Sequence, residues 1–412
     1  MKRIFSTIAL MLFIGMGFAQ GKAVKAEIYG FVRNYFTYDS RSCVQSNEGL
    51  FNMLPNDINP GANGEDLNAI PSVRFLSMTT RLGLNVSGPE IWGAKSTAKI
   101  ESDFCGASSG TAFNLRIRQA YAKLAWENSN LLVGQAWHPM SGDLMPEVFS
   151  LATGAPFNPF NRSPQVRYNY SPVKSLTFTA SALYQYQYGS VGPNGGTSNV
   201  YSRNALVPEL FVGMTAKGEH LTGGWGVNAS TIAPRVVNGD VRVHERLTSY
   251  SAMVFGSLKV DYLTVRAKAV YGQNTSHMQQ PTGYGVVSIA ADGTCTYDPM
   301  QLGSAWVTMM YGKKLRYGFF AGWMKNFGSA DQEYMVAPVV RNNTGMDQAY
   351  RFSPVVTYKE KNMTIGLEYE HTAAAYGDYK RSSGFGLLTN GIIENTHWVA
   401  NHRVCMMLKY DF

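Results

Sequence analysis

Residues 94–104 read AKSTAKIESDF, and the placement of charge in this short stretch decides the fold. Lys95, Thr97, Lys99, Glu101 and Asp103 fall on one parity, and Ala94, Ala98, Ile100 and Phe104 on the other. A period of two is that of a β-strand, whose side chains alternate between faces. Four ionisable groups on one face of a single strand would be intolerable in the dry core of a sandwich. The cost vanishes when that face looks onto water and the other onto lipid, as in a transmembrane barrel.

The same alternation recurs along the chain. In LSMTTRLGLNVS, from residue 76, Leu82, Leu84 and Val86 oppose Arg81, Gly83 and Asn85. In TFTASALYQYQY, from residue 177, Phe178, Ala180, Ala182, Tyr184, Tyr186 and Tyr188 oppose Thr179, Ser181, Gln185 and Gln187. LTVRAKAVYG opposes Val265, Ala267 and Ala269 to Arg266 and Lys268, and MTIGLEYEHT opposes Ile365, Leu367 and Tyr369 to Glu368 and Glu370. The closing residues VCMMLKYDF put Val404, Met406, Leu408, Tyr410 and Phe412 on one face.

Sixteen strands follow from this pattern, at 26–39, 73–87, 93–105, 113–126, 131–137, 165–171, 175–188, 207–217, 223–233, 246–259, 262–274, 303–313, 315–327, 349–359, 363–376 and 396–412. The connections alternate in length. Tight links such as PVK, VDY, KK and EKN separate long ones near 40–72, 106–112, 138–164, 189–206, 234–245, 275–302, 328–348 and 377–395. Short turns at one end and long loops at the other describe an all-β, up-and-down antiparallel barrel. The last strand must pair with the first, because two open edges would otherwise face hydrocarbon.

The first residues define a separate unit. A charged MKR precedes an apolar run, with Gly17 and Ala19 just before Gln20, which reads as a signal peptide over 1–19 and a barrel over 20–412. Beyond it no run of about eighteen apolar residues predicts a spanning helix. Charged residues make up 16% of the chain, and 24 tyrosines and 21 phenylalanines suit the aromatic belts of a barrel. Cys43, Cys105, Cys295 and Cys405 lack metal-binding spacing; Cys43 and Cys105 both fall in outer loops, where a disulfide and two free thiols are alternative readings.

Sixteen strands enclose more space than their side chains fill, which predicts a water-filled lumen. By parity, Arg81, Lys95, Lys99, Arg116, Arg118, Arg167, Arg266 and Lys268 project into it, together with Glu101, Asp103, Glu368 and Glu370. The long link at 138–164 is rich in Phe, Pro and Leu, and Phe149, Leu151, Phe157 and Phe160 would find poor shelter outside. Folded inward, that loop narrows the channel and carries Asp143 and Glu147 toward a basic wall. Opposed charges of this kind create a transverse field, and the excess of wall cations predicts a lean toward anions. Pairing of the same charges across strands is the plainer alternative.

Other chemistries find little support. The seven histidines are scattered over loops and strand ends, and H-E-x-x-H does not occur, so no enzyme is expected. GGWG at 223–226 is followed by no helix and is no phosphate loop. The polar loop NMLPNDINPGANGEDLNAIP reads as outward; its Asp57, Asn59, Glu65 and Asp66 miss the EF-hand spacing. An outward loop of this kind also suits an adhesin or ligand-binding barrel. No cofactor, metal or nucleic-acid partner is expected, since the arginines alternate and form no exposed patch.

EIYGFVRNYFTYDS, TRLGLNVSG, AKIESDF, RIRQAYAKL, LLVGQAW and the terminal LKYDF, in that order, resemble sixteen-stranded outer-membrane porins of the DcaP-like family. The resemblance covers the first 170 residues and the last strand best. It implies a homotrimeric channel in the outer membrane of a Gram-negative cell, passing small hydrophilic and often anionic solutes. It also implies Arg116, Arg118 and Arg167 as the basic wall, a constriction loop after the fifth strand, and outer-membrane lipid as surroundings. A terminal aromatic, here with Tyr410 and Phe412, is the address read by the barrel-assembly machinery in that family. GKAVKA leaves no room for the coiled-coil extension that some members carry.

Overall fold

The structure is a computed structural model that describes residues 24–106, 114–142, 144–149, 153–341, 345–382 and 386–412. The expected leader, Asp143 and Leu151 lie outside the described residues.

A single hydrogen-bonded sheet of twenty segments closes on itself. Three segments, Gly283–Ile289, Tyr334–Met335 and Ala337–Val340, belong to the outer loops; Ser72–Leu76 is the outer end of the second wall strand, paired with Tyr35–Asp39, and the remaining sixteen make up the barrel wall. In chain order these are β1 (Lys25–Asp39), β2 (Arg81–Ile91), β3 (Ala94–Asp103), β4 (Arg116–Ala125), β5 (Ser129–Trp137), β6 (Arg162–Val173), β7 (Leu176–Leu183) and β8 (Glu209–Lys217). Then come β9 (Leu221–Ile232), β10 (Leu247–Val260), β11 (Leu263–Gln273), β12 (Cys295–Gly312), β13 (Leu315–Ser329), β14 (Met346–Glu360), β15 (Met363–Arg381) and β16 (Leu388–Asp411). Every wall pairing is antiparallel between neighbours, and β16 returns to β1 in register from Phe31↔Asp411 to Asp39↔Arg403. Phe412 adds two backbone hydrogen bonds with Gly30, at 3.0 and 3.1 Å.

The alternation is obeyed around the wall. Ile28, Val32 and Phe36 of β1 are exposed on the outside, while Tyr35, Thr37 and Asp39 are buried on the inside. On β16, Met406, Leu408, Tyr410 and Phe412 are exposed and Arg403, Cys405 and Met407 are buried. Trp92, Tyr170, Tyr262, Tyr311, Tyr317, Tyr358 and Tyr410 all stand outside near the short turns and form an aromatic girdle at that rim. An outer surface this apolar would aggregate in water and is at home in hydrocarbon.

Several boundaries differ from the sequence expectation. The final outer link is short, because β15 and β16 rise as a tall hairpin to Arg381 and Leu388. Left-handed Asn390, Gly391 and Asn395 punctuate that hairpin, which is why its alternation is illegible. The seventh strand ends at Leu183, so Tyr188 leaves the outer face and packs its ring 5.9 Å from Phe160. The first outer loop is only partly outward. Its hairpin Cys43–Ser46/Phe51–Pro55 folds into the barrel and buries Leu50, Phe51, Met53 and Leu54, while exposed residues predominate from Ile58 onward. Five apolar residues in CVQSNEGLFNML prefer that shelter to water.

The disulfide alternative is not realised: all four cysteines are free, three of them buried and Cys295 half-exposed. Burial pushes the Cys43 thiol up to about 12 and the Cys105 thiol up to about 11, so thiolate is scarce at neutral pH. Brief treatment of the folded protein with a maleimide at pH 7 should therefore label Cys295 alone. Gel mobility should not depend on reductant, and a reductant-sensitive band would contradict the arrangement.

Candidate functional site

The inner face is a set of charge clusters, and the first is built on β3 and β4. Asp103 accepts two hydrogen bonds from Arg116, at 2.9 and 3.0 Å, and one from Arg118 at 2.7 Å. Arg118 also donates to Glu101 at 2.9 Å, and Glu101 further accepts from Tyr29 and Gln119, with Arg81 at 3.7 Å. A bulge where β3 meets β4 lets Arg118 and Gln119 face Glu101 together. Both acids are buried, at 4% and 0% exposure, and buried carboxylates require this kind of saturation.

Arg162 extends that cluster. It opens β6, is fully buried, and lies 4.5 Å from the Trp137 ring and 5.3 Å from Phe160. Its Nε donates to Gln187 at 2.8 Å, while Nη1 and Nη2 meet no hydrogen-bonding partner among the described residues. With Arg33 on β1, this side of the interior holds five guanidiniums, Arg33, Arg81, Arg116, Arg118 and Arg162, against two carboxylates.

The described residues between 138 and 161 leave β5 and reach the opposite wall. The Lys268 ammonium donates to the carbonyls of Met140 and Ser141, at 3.0 and 3.3 Å, and Arg266 to that of Met145 at 3.1 Å. Glu147 bridges Arg266 and Arg316, at 2.9 and 2.6 Å. Phe149 donates its backbone N–H to Glu368, and its carbonyl accepts from the Tyr35 hydroxyl at 2.6 Å. Asn158 accepts from the Trp306 indole at 3.1 Å, and Phe157 packs 6.2 Å from Phe320. Two glycines make room for the aromatics: a Cβ at Gly366 would lie 2.2 Å from the Phe149 ring, and one at Gly322 would lie 2.7 Å from Phe157.

Arg351 on β14 joins this segment to the inward hairpin, donating to the carbonyls of Ala155, Asn52 and Met53 and to the Thr372 hydroxyl. Beside it Glu368 and Glu370 are buried on β15, near Arg403 and Asp39 of the seam. A further polar group lies at the root of the crossing segment. His138 and His277 each place Nε2 3.0 Å from Glu209 Oε1, which also accepts from Asn228 at 2.8 Å.

The described wall residues singled out in the sequence as pore-lining thus face inward, but most are paired, as the plainer alternative has it. Lys95 stands exposed near the short-turn rim, and Lys99 lies over the Tyr29 ring at 5.1 Å. Arg167 donates to the Trp137 carbonyl at 2.6 Å and to Gln165 at 2.8 Å. Tyr410 and Phe412 face outward. The acidic loop residues do not gather: Asp66 is paired with Arg41 and Asp57 with His397. Sequence reading missed Arg33, Arg162, Arg316, Arg351 and Glu209. Arg162 falls in a segment read as loop, and the others become notable only through contacts between distant strands.

No protein-family model and no curated protein matches the chain. Solved structures do. The outer membrane channel DcaP of Acinetobacter baumannii superimposes with a TM-score of 0.69 at 21% identity, over 96% of this chain and 99% of that one. The fold is that of the sixteen-stranded outer-membrane channels. The anion-selective porin from Comamonas acidovorans gives a TM-score of 0.52 at 10% identity, covering 94% and 100%. OmpT of Vibrio cholerae in its trimer form gives 0.52 at 12%, covering 95% and 100%.

Removing the charge of Asp103 leaves Arg116 and Arg118 buried against a neutral amide. Asp103→Asn should destabilise the barrel by about 3 kcal/mol, measured as an earlier loss of the heat-resistant folded band. An unchanged transition would mean the cluster is solvated.

Proposed function

We propose that the protein is an outer-membrane porin through which small hydrophilic solutes diffuse passively, with anionic ones favoured. The carrying observation is the closed sixteen-stranded wall with an apolar outside and a charged inside, since sixteen strands enclose more than their own side chains fill. A likeness to the channels named above, one of them anion-selective by its description, supports the same reading.

Two features support the finer claims. The crossing segment 138–161, anchored on β11, β13 and β15, is the constriction, with Glu147 as its acid; Asp143 belongs to the same proposal. The excess of guanidiniums on the β3–β4–β6 side, with the partly exposed Arg33, Arg81 and Arg116 nearest the lumen, supplies a cationic track for carboxylates or phosphates. Passage depends on side chains that both attract and release the solute, and partly paired arginines meet that need.

Residues 1–19 are proposed to direct export and to be removed, and the outer wall to assemble as a homotrimer in the outer membrane. The Tyr410–Phe412 end is proposed to be the element read by the assembly machinery. Enzymatic activity is not part of the proposal.

Purified protein in a planar bilayer should give discrete conductance steps, and a silent bilayer would favour a closed adhesin-type barrel. Deleting residues 144–149 should raise single-channel conductance, whereas an unchanged step would place the constriction elsewhere. Deleting Phe412 should lower the yield of folded barrel and leave the conductance of each assembled channel as it was.

A further inference from the structure

The buried group His138, Glu209 and His277 lies outside the arginine track, and its chemistry differs from that of the other clusters. The three residues come from three places: the root of the crossing segment, the first position of β8, and the helical turn Thr275–Met278 in the loop after β11. Their exposures are 0%, 4% and 2%. One ligand atom from each lies within 4.8 Å of the other two.

The hydrogen bonding is lopsided. A carboxylate only accepts, so both imidazoles and the Asn228 amide donate to the single oxygen Oε1. Glu209 Oε2, His277 Nδ1 and Asn228 Oδ1 meet no partner among the described residues, although all are buried. Orphaned oxygens on Glu209 and Asn228 are costly, and a cation is what would satisfy such acceptors.

We propose that this group is a divalent transition-metal site, best suited to zinc, that staples the crossing segment to the wall. Two imidazole nitrogens and one carboxylate oxygen are a common three-ligand set for zinc, leaving a further position for the Asn228 carbonyl or a water. At metal–nitrogen distances of about 2.0–2.1 Å, tetrahedral ligands stand roughly 3.3 Å apart, close to the 3.0 Å between each Nε2 and Oε1 here. Nitrogen and mixed oxygen donors favour zinc, cobalt or nickel over calcium or magnesium.

Loading requires each imidazole to carry its proton on Nδ1. At His277 this displaces no hydrogen bond of Nδ1, which meets no partner among the described residues. His138 Nδ1 accepts from the Met140 N–H at 3.2 Å, so the metal would release that contact and shift the first turn of the crossing segment, Pro139–Gly142. Occupancy is thereby coupled to the segment proposed to narrow the pore.

The test uses the detergent-folded, chelator-stripped full-length barrel and zinc chloride alone. Calorimetry should show one zinc bound per chain and a raised unfolding temperature. Both effects should vanish in His277→Gln and Glu209→Gln and persist in His402→Ala, an exposed histidine on β16. Absence of uptake, or uptake that survives the first two changes in folded protein, overturns the proposal. If those variants do not fold, cobalt added to the wild-type barrel decides the matter. Visible ligand-field bands of a four- or five-coordinate site with histidine nitrogen support it, and a spectrum identical to hexaaqua cobalt overturns it.

Discussion

Everything in this molecule depends on backbone hydrogen bonding that has no open edge. In hydrocarbon each unpaired N–H or C=O costs several kcal/mol, so the sheet must close, and it closes where β16 meets β1. The pairing runs from Asp39↔Arg403 to Phe31↔Asp411, with Phe412 and Gly30 exchanging two further hydrogen bonds. Within that hoop the side-chain period of two sorts chemistry by face. One parity goes to lipid, and the other brings arginines, acids and amides together inside, beside an apolar cluster that includes Phe157, Phe160, Phe211, Trp306 and Phe320.

The interior then faces its own constraint. Charges gathered on an inner wall and shielded from bulk solvent must be compensated. Compensation is local on the β3–β4 wall, where Asp103 and Glu101 are saturated by arginines. On the other side it is long-range: the segment after β5 crosses to meet Arg266, Arg316 and Lys268. Ion pairing thus joins apolar burial in anchoring the loop. The phenylalanine sockets at Gly322 and Gly366 and the carbonyl-binding Arg351 complete the anchoring.

Much of the architecture was legible in the chain, because alternation and loop length are local properties. The strand count, the antiparallel meander, the seam and the inward facing of Arg116, Arg118, Lys268 and Glu368 follow from parity alone. What parity cannot carry is the meeting of distant residues. His138 and Glu209 are 71 positions apart, and nothing in either neighbourhood announces the contact. The first outer loop misleads for a related reason: its polar half, from Asp57 onward, masks the apolar hairpin that folds inside. Arg162 was obscured by a strand that begins earlier than its alternation suggests, since Ser163 and Pro164 interrupt the pattern.

The central claim is that the unbalanced guanidiniums of the β3–β4–β6 side set the permeation preference. The most direct test is the zero-current potential of the protein in a planar bilayer under a potassium chloride gradient, compared with that of Arg33→Gln, a partly exposed wall arginine. The account predicts a potential of the sign set by chloride, reduced in the variant. A potential set by potassium, or one indifferent to Arg33, would contradict it.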